Sequence, residues 1–583
     1  MRFSKLAAAY EKIEATSGRI EMSELLGRVF KQAEPEEAKR VVYLTQGKVA
    51  PPYEGIEVGM GEKFVEQAIS IATGYSRKEV ENAYRASGDL GKVAEKFVNE
   101  RKQSGLASEE LSVERVFNVL RKIAITSGAG SQSSKVKALA ELLNSASPVE
   151  AKFIVRFPLS KLRLGVGDPT IIDALSMARK GDKSARKEIE RAYNLCSDLG
   201  SVAESYLSDE RLIRDVRVRV FSPIRPALAE RLPSAEEILK KLGRCVVEAK
   251  YDGFRMQVHK SGERVEIFSR KLERMTPMFP EIVEGIKRQV GAEEAILEGE
   301  ALAFNSATGQ YFPFQMTIQR KRKHGVKEMA EKYPLHLFVF DLLYADGKDY
   351  TKIAYAERKK KLKEVLKRGE RISIAEGREV SKPSQLEAYF EEALEKGLEG
   401  VIAKDLKAPY VAGAREFAWI KLKRSYRGEL SDSVDLVIVG YYLGKGARAE
   451  FEFGGLLCAV LDENEDRLKT VARIGSGFSE EEMRELKGAL DKIKLKERPK
   501  KLDALVEPDV WVEPKYVITV AADEITRSPM HTCGKSGEEP GYALRFPRMV
   551  QSIRRDKGME DATTVYEILK MYDQQRRISW SNR

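Results

Sequence analysis

Over roughly the first 215 positions apolar residues recur at three- and four-residue spacing, the pattern of amphipathic helices that each bury one stripe. Helix starts are written into the chain. Ser147-Pro148-Val149-Glu150 is a capping box with proline at the first helical position, and Asp168-Pro169 opens the periodic stretch 171–178 in the same way. This region is expected to be all-α. From about position 216 the period changes to two, and 245–248, 254–259 and 264–268 read as strands with Lys260-Ser261-Gly262-Glu263 as a hairpin turn. Helical stretches at 355–366 and 386–396 separate further strands at 335–343 and 400–404, so a mixed α/β domain follows. After Tyr426-Arg427-Gly428, short apolar runs at 435–442, 455–461, 468–474 and 516–522 predict a small β-barrel.

The helical region contains a duplication. Residues 77–98 (RKEVENAYRASGDLGKVAEKFV) match 186–207 (RKEIERAYNLCSDLGSVAESYL) at 12 of 22 positions, where unrelated segments share about one or two. Upstream of each copy lies a glycine turn running into a helix, Gly59-Met60-Gly61-Glu62 and Gly165-Val166-Gly167-Asp168. Two related halves can present two such turns and helix N-termini on one face, which suits the phosphate strands of a duplex because N–H groups there attract phosphate without reading bases. The plainer reading is a helical array whose glycines merely end helices.

Composition narrows the class. With 583 residues and 42% hydrophobic content the chain can fill several cores; Lys+Arg 101 against Asp+Glu 90 leaves +11, compatible with a polyanionic partner. A charged fraction of 33% also fits a thermophile. Cys196, Cys245, Cys458 and Cys533 contain no C-x-x-C pair, which points to a reducing compartment. No apolar run approaches a membrane span and Met1 begins no signal peptide, so a soluble, cytoplasmic protein is expected. A P-loop is excluded, since Gly534-Lys535-Ser536 has Pro529 where the first glycine belongs, and four scattered histidines form neither a metal triad nor a protease triad.

Lys250-Tyr251-Asp252-Gly253 falls between two expected strands and is followed in order by Ser269-Arg270-Lys271, Leu297-Glu298-Gly299-Glu300-Ala301, Phe338-Val339-Phe340-Asp341, Glu399-Gly400-Val401-Ile402-Ala403-Lys404, Trp419-Ile420-Lys421-Leu422-Lys423 and Arg554-Arg555-Asp556-Lys557. K-x-D-G alone is weak; the ordered set is specific. It resembles the covalent nucleotidyltransferases, and within them the ATP-dependent DNA ligases of the archaeal and eukaryotic replicative type, over essentially the full length. The resemblance implies an α-helical DNA-binding domain at 1–215, an adenylation domain with antiparallel sheets at 216–428 and an OB-fold barrel at 429–583. It implies ATP as AMP donor, Mg²⁺, nicked duplex DNA as partner, a monomer, and roles in replication, repair and recombination. Sliding-clamp binding is known in the family, but no clear aromatic clamp-binding peptide is found here.

Residue by residue, the resemblance makes Lys250 the nucleophile that takes AMP, Asp252 a helper at the 3′-hydroxyl of the nick, and Glu300 and Glu399 metal carboxylates, with Glu300 also on the ribose. Phe340 is the adenine-stacking aromatic, and period-two alternation sets Phe338 on the same face. Glu248 contacts adenine and Arg415 the nucleotide, while Arg554 and Lys557 orient pyrophosphate from a separate domain that closes for the first step and swings away afterwards.

The chemistry adds a condition: a phosphoramide needs a neutral amine, yet a free lysine has a pKa of about 10.4. Convergence of Arg255, Arg270, Lys421 and Lys423 on the site would lower that of Lys250 by repulsion and stabilise the triphosphate. An RNA ligase or capping guanylyltransferase would share Lys250, but the duplicated helical region argues against it. A non-catalytic nucleic-acid scaffold is opposed by the intact K-x-D-G and R-x-D-K, and an NAD-dependent ligase by the absence of a four-cysteine zinc module. The run Arg320-Lys321-Arg322-Lys323 reads as a solvated face ahead of a nuclear signal or DNA stripe.

Overall fold

The computed structural model describes all residues except 102–109, 129, 306–309, 312–316, 318–319, 323–324, 368, 397, 424–432, 445–451, 523 and 582–583. The described residues form two compact units, Met1–Arg225 with Leu272–Arg274, and Pro226–Lys271 with Met275–Arg583. The junction tripeptide Tyr426-Arg427-Gly428 lies outside the described residues.

The first unit is helical: α1 Phe3–Ala15, α2 Arg19–Gln32, α3 Pro35–Thr45, α4 Glu62–Thr73, α5 Arg77–Ser87, α6 Leu90–Asn99, α7 Val113–Ile125, α8 Ser131–Ser145, α9 Pro148–Arg156, α10 Asp168–Lys180, α11 Arg186–Cys196 and α12 Leu199–Ser208. The packing is reciprocal. Helices α4 and α6 lie on α8 and α9, and α10 and α12 lie on α2 and α3. The duplicated unit is therefore six helices long, and each copy lends its second half to the other. Shorter matches mark the rest of the repeat: Lys12-Ile13 with Thr16-Ser17-Gly18 answers Lys122-Ile123 with Thr126-Ser127-Gly128, and Pro35-Glu36-Glu37-Ala38-Lys39 answers Pro148-Val149-Glu150-Ala151-Lys152.

Chemistry repeats with the fold. Asp89 and Asp198 cap α6 and α12; Asp89 is held by the buried Arg156 at 2.5 Å, and Asp198 by the Tyr43 hydroxyl at 2.7 Å, from equivalent positions of α9 and α3. Gly91 and Gly200 make room for these contacts, since a Cβ would lie 2.7 Å from the Lys152 carbonyl oxygen or 2.6 Å from the Tyr43 ring. The two glycine turns do open α4 and α10, with Gly61 and Gly167 as N-caps. Each first turn already carries an acid, Glu62 or Asp168, which takes a hydrogen bond from the equivalent tyrosine, Tyr84 at 2.8 Å or Tyr193 at 2.6 Å.

In the second unit, strands β1 Leu228–Arg231, β2 Cys245–Lys250, β3 Phe254–Ser261, β4 Arg264–Ser269, β5 Glu294–Asn305, β6 Gln310–Tyr311, β7 Leu335–Ala345, β8 Lys348–Asp349, β9 Ile372–Ile374, β10 Gly377–Val380, β11 Gly400–Asp405 and β12 Arg415–Lys423 build two sheets. One runs β1-β12-β11-β2-β10; the other runs β4-β3-β5-β7-β8, with β6 on β5 and β9 on β7. The sheets are not purely antiparallel: β1 joins β12, and β9 joins β7, in parallel, because each returns to its partner through a long connection rather than a hairpin. The β3–β4 hairpin is tighter than expected, with Ser261 opposite Arg264 and only Gly262-Glu263 between them. Arg320 also departs from a solvated face. It is buried, gripping Glu281 and donating to the Val326 carbonyl at 3.2 Å, while Lys323 lies outside the described residues.

After position 432 the strand path Arg467–Ile474, Gly455–Asp462, Ser433–Tyr442, Val517–Ala521, Arg548–Gln551 returns on itself, because Ser476 bridges Arg548 with a 3.0 Å bond from the Met549 amide. Its interior is one apolar cluster that includes Leu436, Ile438, Leu456, Val471, Ile518 and Met549.

Candidate active site

Lys250 ends β2, and Tyr251-Asp252-Gly253 carries the chain from the five-stranded into the seven-stranded sheet. The tetrapeptide is thus the crossover between sheets. Gly253 is required there: a Cβ would lie 2.3 Å from the Ala301 carbonyl oxygen, and its amide donates to the Glu300 carboxylate at 3.2 Å. In the first sheet Lys250, Gly400 and Lys423 stand in one row, and Glu248, Ile402 and Lys421 in the next. Alternate positions Val247, Val401, Ala403, Ile420 and Leu422 enter the core against the helices Ala235–Leu242 and Pro383–Glu395. The opposite face is left for Glu248, Lys250, Lys404, Trp419 and Lys421.

The Lys250 ammonium donates to the Glu399 carboxylate, so its nearest charged partner is an anion. The cations expected to crowd it are compensated. Arg255 binds Glu298 at 2.8 Å and donates to the Ala227 carbonyl at 2.7 Å, Arg270 binds Asp561 at 2.6 Å, and Lys421 lies 3.7 Å from Glu567. Positive charge still converges on Glu300, opposite Arg255 in the β3–β5 ladder. Burial pushes the Glu300 carboxyl up to about 7, against the pull of Lys250, Arg255 and Arg270 and with the help of Asp252. For Arg255, burial disfavours the charge, but Glu298, Tyr410 and Glu300 outweigh it and raise the guanidinium above its ordinary range.

Phe340 stands where strict alternation fails. In the β5–β7 ladder Gly299 faces Val339 and Glu298 faces Asp341, which leaves Phe340 as the extra residue of a bulge. Phe338 is covered by Tyr251, stacked at 4.4 Å, whereas Phe340 is half-buried and meets Trp419 edge-on at 5.8 Å. Both belong to one small apolar cluster with Leu302 and Ala375. The Lys404 ammonium sits 4.7 Å from the Phe340 ring and 4.5 Å from Trp419, and pairs with Glu248 at 2.6 Å. Glu248 is buried and also takes Lys359 and the Tyr355 hydroxyl. Burial would raise its carboxyl, yet Lys359 and Lys404 prevail and hold it below the usual range.

Arg554 donates to Asp556 at 3.0 and 2.8 Å, and Lys557 pairs with Asp435. Burial opposes the Arg554 charge, but Asp556, Asp435 and, more weakly, Asp252 of the lysine loop raise it. The structure thus brings together Lys250, Asp252, Arg255, Arg270, Glu300, Glu399 and Arg554, with Phe340 and Glu248 on one flank. The side chains of Arg415 and Lys423 lie outside the described residues.

Comparison with known proteins decides the family. "DNA ligase N terminus" matches residues 2–176, "ATP dependent DNA ligase domain" 226–423, and "ATP dependent DNA ligase C terminal region" 449–557. The chain belongs to the ATP-dependent DNA ligases. A probable DNA ligase of Dictyoglomus thermophilum is 50% identical over 99% of this chain and 98% of its own length, and one of Dictyoglomus turgidum 49% over the same shares. The DNA ligase of Sulfolobus acidocaldarius is 42% identical over 98% of each chain.

Several residues that shape this ligase site escaped the sequence. Glu298 stands two positions from Glu300 and holds Arg255, a pairing that becomes visible only once β3 and β5 are in register. Lys359 and Tyr355 come from the helix Tyr355–Val365, more than a hundred positions beyond Glu248, and no local signal points to them. Trp419 and Lys404 lie in the motif segments 399–404 and 419–423, and their period-two placement on the Lys250 face is the signal that marks them.

Proposed function

We propose that this chain seals nicks in duplex DNA, as a monomer, in replication, repair and recombination. Lys250 Nζ attacks the α-phosphorus of ATP and expels pyrophosphate; AMP then passes to the 5′-phosphate of the nick, and the 3′-hydroxyl displaces AMP as the phosphodiester forms. The observation that carries this reading is the Lys250 amine at the sheet crossover, paired with Glu399, with Glu300 on the Gly253 amide, Arg255 opposite Glu300 in register, and Arg270 joined to Asp561 of the C-terminal segment.

Before ATP arrives the amine is hydrogen-bonded to Glu399, so that carboxylate must let go for the lone pair to face phosphorus. Arg255, fixed by Glu298 and the Ala227 carbonyl, presents an immobile positive charge where negative charge builds on the phosphates. Phe340, uncovered by Tyr251, offers a flat face to adenine, while the Glu248 carboxylate is set next to it by Lys404. Glu300 and Glu399 fit Mg²⁺ as hard oxygen donors beside the lysine loop, where Glu300 accepts the Gly253 amide and Glu399 the Lys250 ammonium. The ion, when bound, supplies charge neutralisation on the triphosphate. Asp252 acts at the 3′-hydroxyl, and Arg415, Lys421 and Lys423 assist nucleotide binding.

The division into a DNA-binding domain at 1–215, an adenylation domain at 216–428 and an OB-fold at 429–583 is part of the same reading. The returning strand path closed by Ser476 and Arg548 supports the OB-fold, and Arg270–Asp561 with Lys421–Glu567 supports a closed arrangement suited to the first step. The test is sealing of an end-labelled nicked duplex with ATP or GTP. Sealing with ATP alone is expected; a guanylylated protein without sealing would favour a capping enzyme.

A further inference from the structure

The segment bearing Arg554 and Lys557 is tied to the sheet by the Arg554 amide, which donates to the Val517 carbonyl at 2.7 Å, and by one carboxylate that faces both cations. Asp435 lies near the start of the strand Ser433–Tyr442, opposite Thr519 in register. Its backbone is fixed by Thr563: the Asp435 amide donates to the Thr563 hydroxyl oxygen at 3.0 Å, and its carbonyl accepts the Thr563 amide at 2.8 Å. One carboxylate oxygen accepts the Thr519 hydroxyl at 2.7 Å and stands 4.0 Å from the Arg554 guanidinium; the other takes the Lys557 ammonium. Arg554 also donates to Asp556, to Gln551 at 3.2 Å and to Thr519 at 3.4 Å. All four charged side chains are well covered, at 11% exposure for Arg554, 16% for Asp435 and Lys557, and 22% for Asp556.

Two cations three residues apart repel in such a setting unless anions are placed between them. Asp556 takes two hydrogen bonds from Arg554 and also feels the Lys557 charge, but it belongs to their own loop. Asp435 stands within ion-pair distance of both cations, and it is anchored to the sheet rather than to their own loop. The geometry points to Asp435 as a positioning residue that keeps Arg554 and Lys557 aimed together at the nucleotide during lysine adenylation. This rests on the reading of those two cations given above. Asp435 acts through them, so its removal affects the step that uses the closed segment and spares the chemistry at the nick.

The test uses the full chain, with two rates measured separately: formation of the protein–AMP adduct, and sealing of a nick that already carries a 5′-adenylate. Asp435→Asn keeps an acceptor for Thr519 but loses the charge; it is expected to slow adduct formation at least about tenfold while pre-adenylated sealing stays within about twofold. Asp435→Glu should recover part of the loss, and Asp435→Asn should add little to Arg554→Ala/Lys557→Ala. Unimpaired adduct formation, or an equal loss in both rates, would overturn the inference. If Arg554→Ala and Lys557→Ala themselves leave adduct formation intact, the reading beneath it fails instead; if they slow it and Asp435→Asn does not, only the role of Asp435 falls.

Discussion

Lys250 and Glu399 are joined twice: the lysine ammonium donates to the glutamate side chain, and the Glu399 amide donates to the Lys250 carbonyl at 3.3 Å. The backbone bond holds Glu399 beside the nucleophile whether or not its carboxylate is engaged, so the carboxylate can leave the amine without the loop dissolving. Glu399→Ala should therefore preserve the fold and the backbone bond, yet slow adduct formation by on the order of 100-fold through loss of charge placement at the triphosphate. Single-turnover labelling at saturating ATP reads this directly; a rate equal to that of the unmodified protein would remove Glu399 from the site.

Arg358 and Asp341 form a fully buried pair, with bonds of 2.8 and 2.9 Å, and Arg358 also donates to the Ile353 and Ala408 carbonyls. Removing the cation strands a carboxylate in the interior. Arg358→Ala should cost about 3–5 kcal/mol of stability, read from the urea midpoint of the unit that contains it. A loss under about 1 kcal/mol would show that the pair does not hold β7 to its neighbouring helix.

Burial lowers three histidines, His259 to about 3 and His336 and His531 to about 4. Each takes up a proton in the unfolded chain below its ordinary value of about 6.5 but stays neutral in the fold, so the stability it supports is complete above that pH. It drains away as pH falls from about 6.5 toward 3. Melting temperatures across this range should decline, and His259→Gln should make the decline shallower. An identical slope for the variant would contradict the assignment.

If residues 1–215 grip phosphates, nicked-duplex affinity should fall steeply with salt, and deleting them should weaken that affinity strongly while self-adenylation stays measurable. Fluorescence anisotropy over a salt series checks both. Equal affinity in the shortened protein would leave the glycine turns without a role on DNA.

Strand positions were legible because their alternation is local: the expected 245–248, 254–259, 264–268 and 400–404 all fall within observed strands. The lysine loop was legible from the order of its companion segments. What escaped was set by distant contacts. The bulge at Phe340 exists because β5 and β7 differ by one residue between paired positions, a property of two strands that neither reveals alone. The sequence repeat appeared as 22 residues because its first half diverged more: Tyr43 occupies the position that Arg156 holds in the other copy, although each holds the equivalent aspartate. The expected crowding of cations on Lys250 overlooked carboxylates such as Asp561 and Glu298, which neutralise them from other strands and from the C-terminal segment.

The most direct measurement is the intact mass of the purified chain after incubation with ATP and Mg²⁺, followed by peptide mapping. One added AMP located on Lys250, and none on the Lys250→Ala protein, is the predicted result. A chain that never gains the adduct, or gains it on another side chain, would contradict the account.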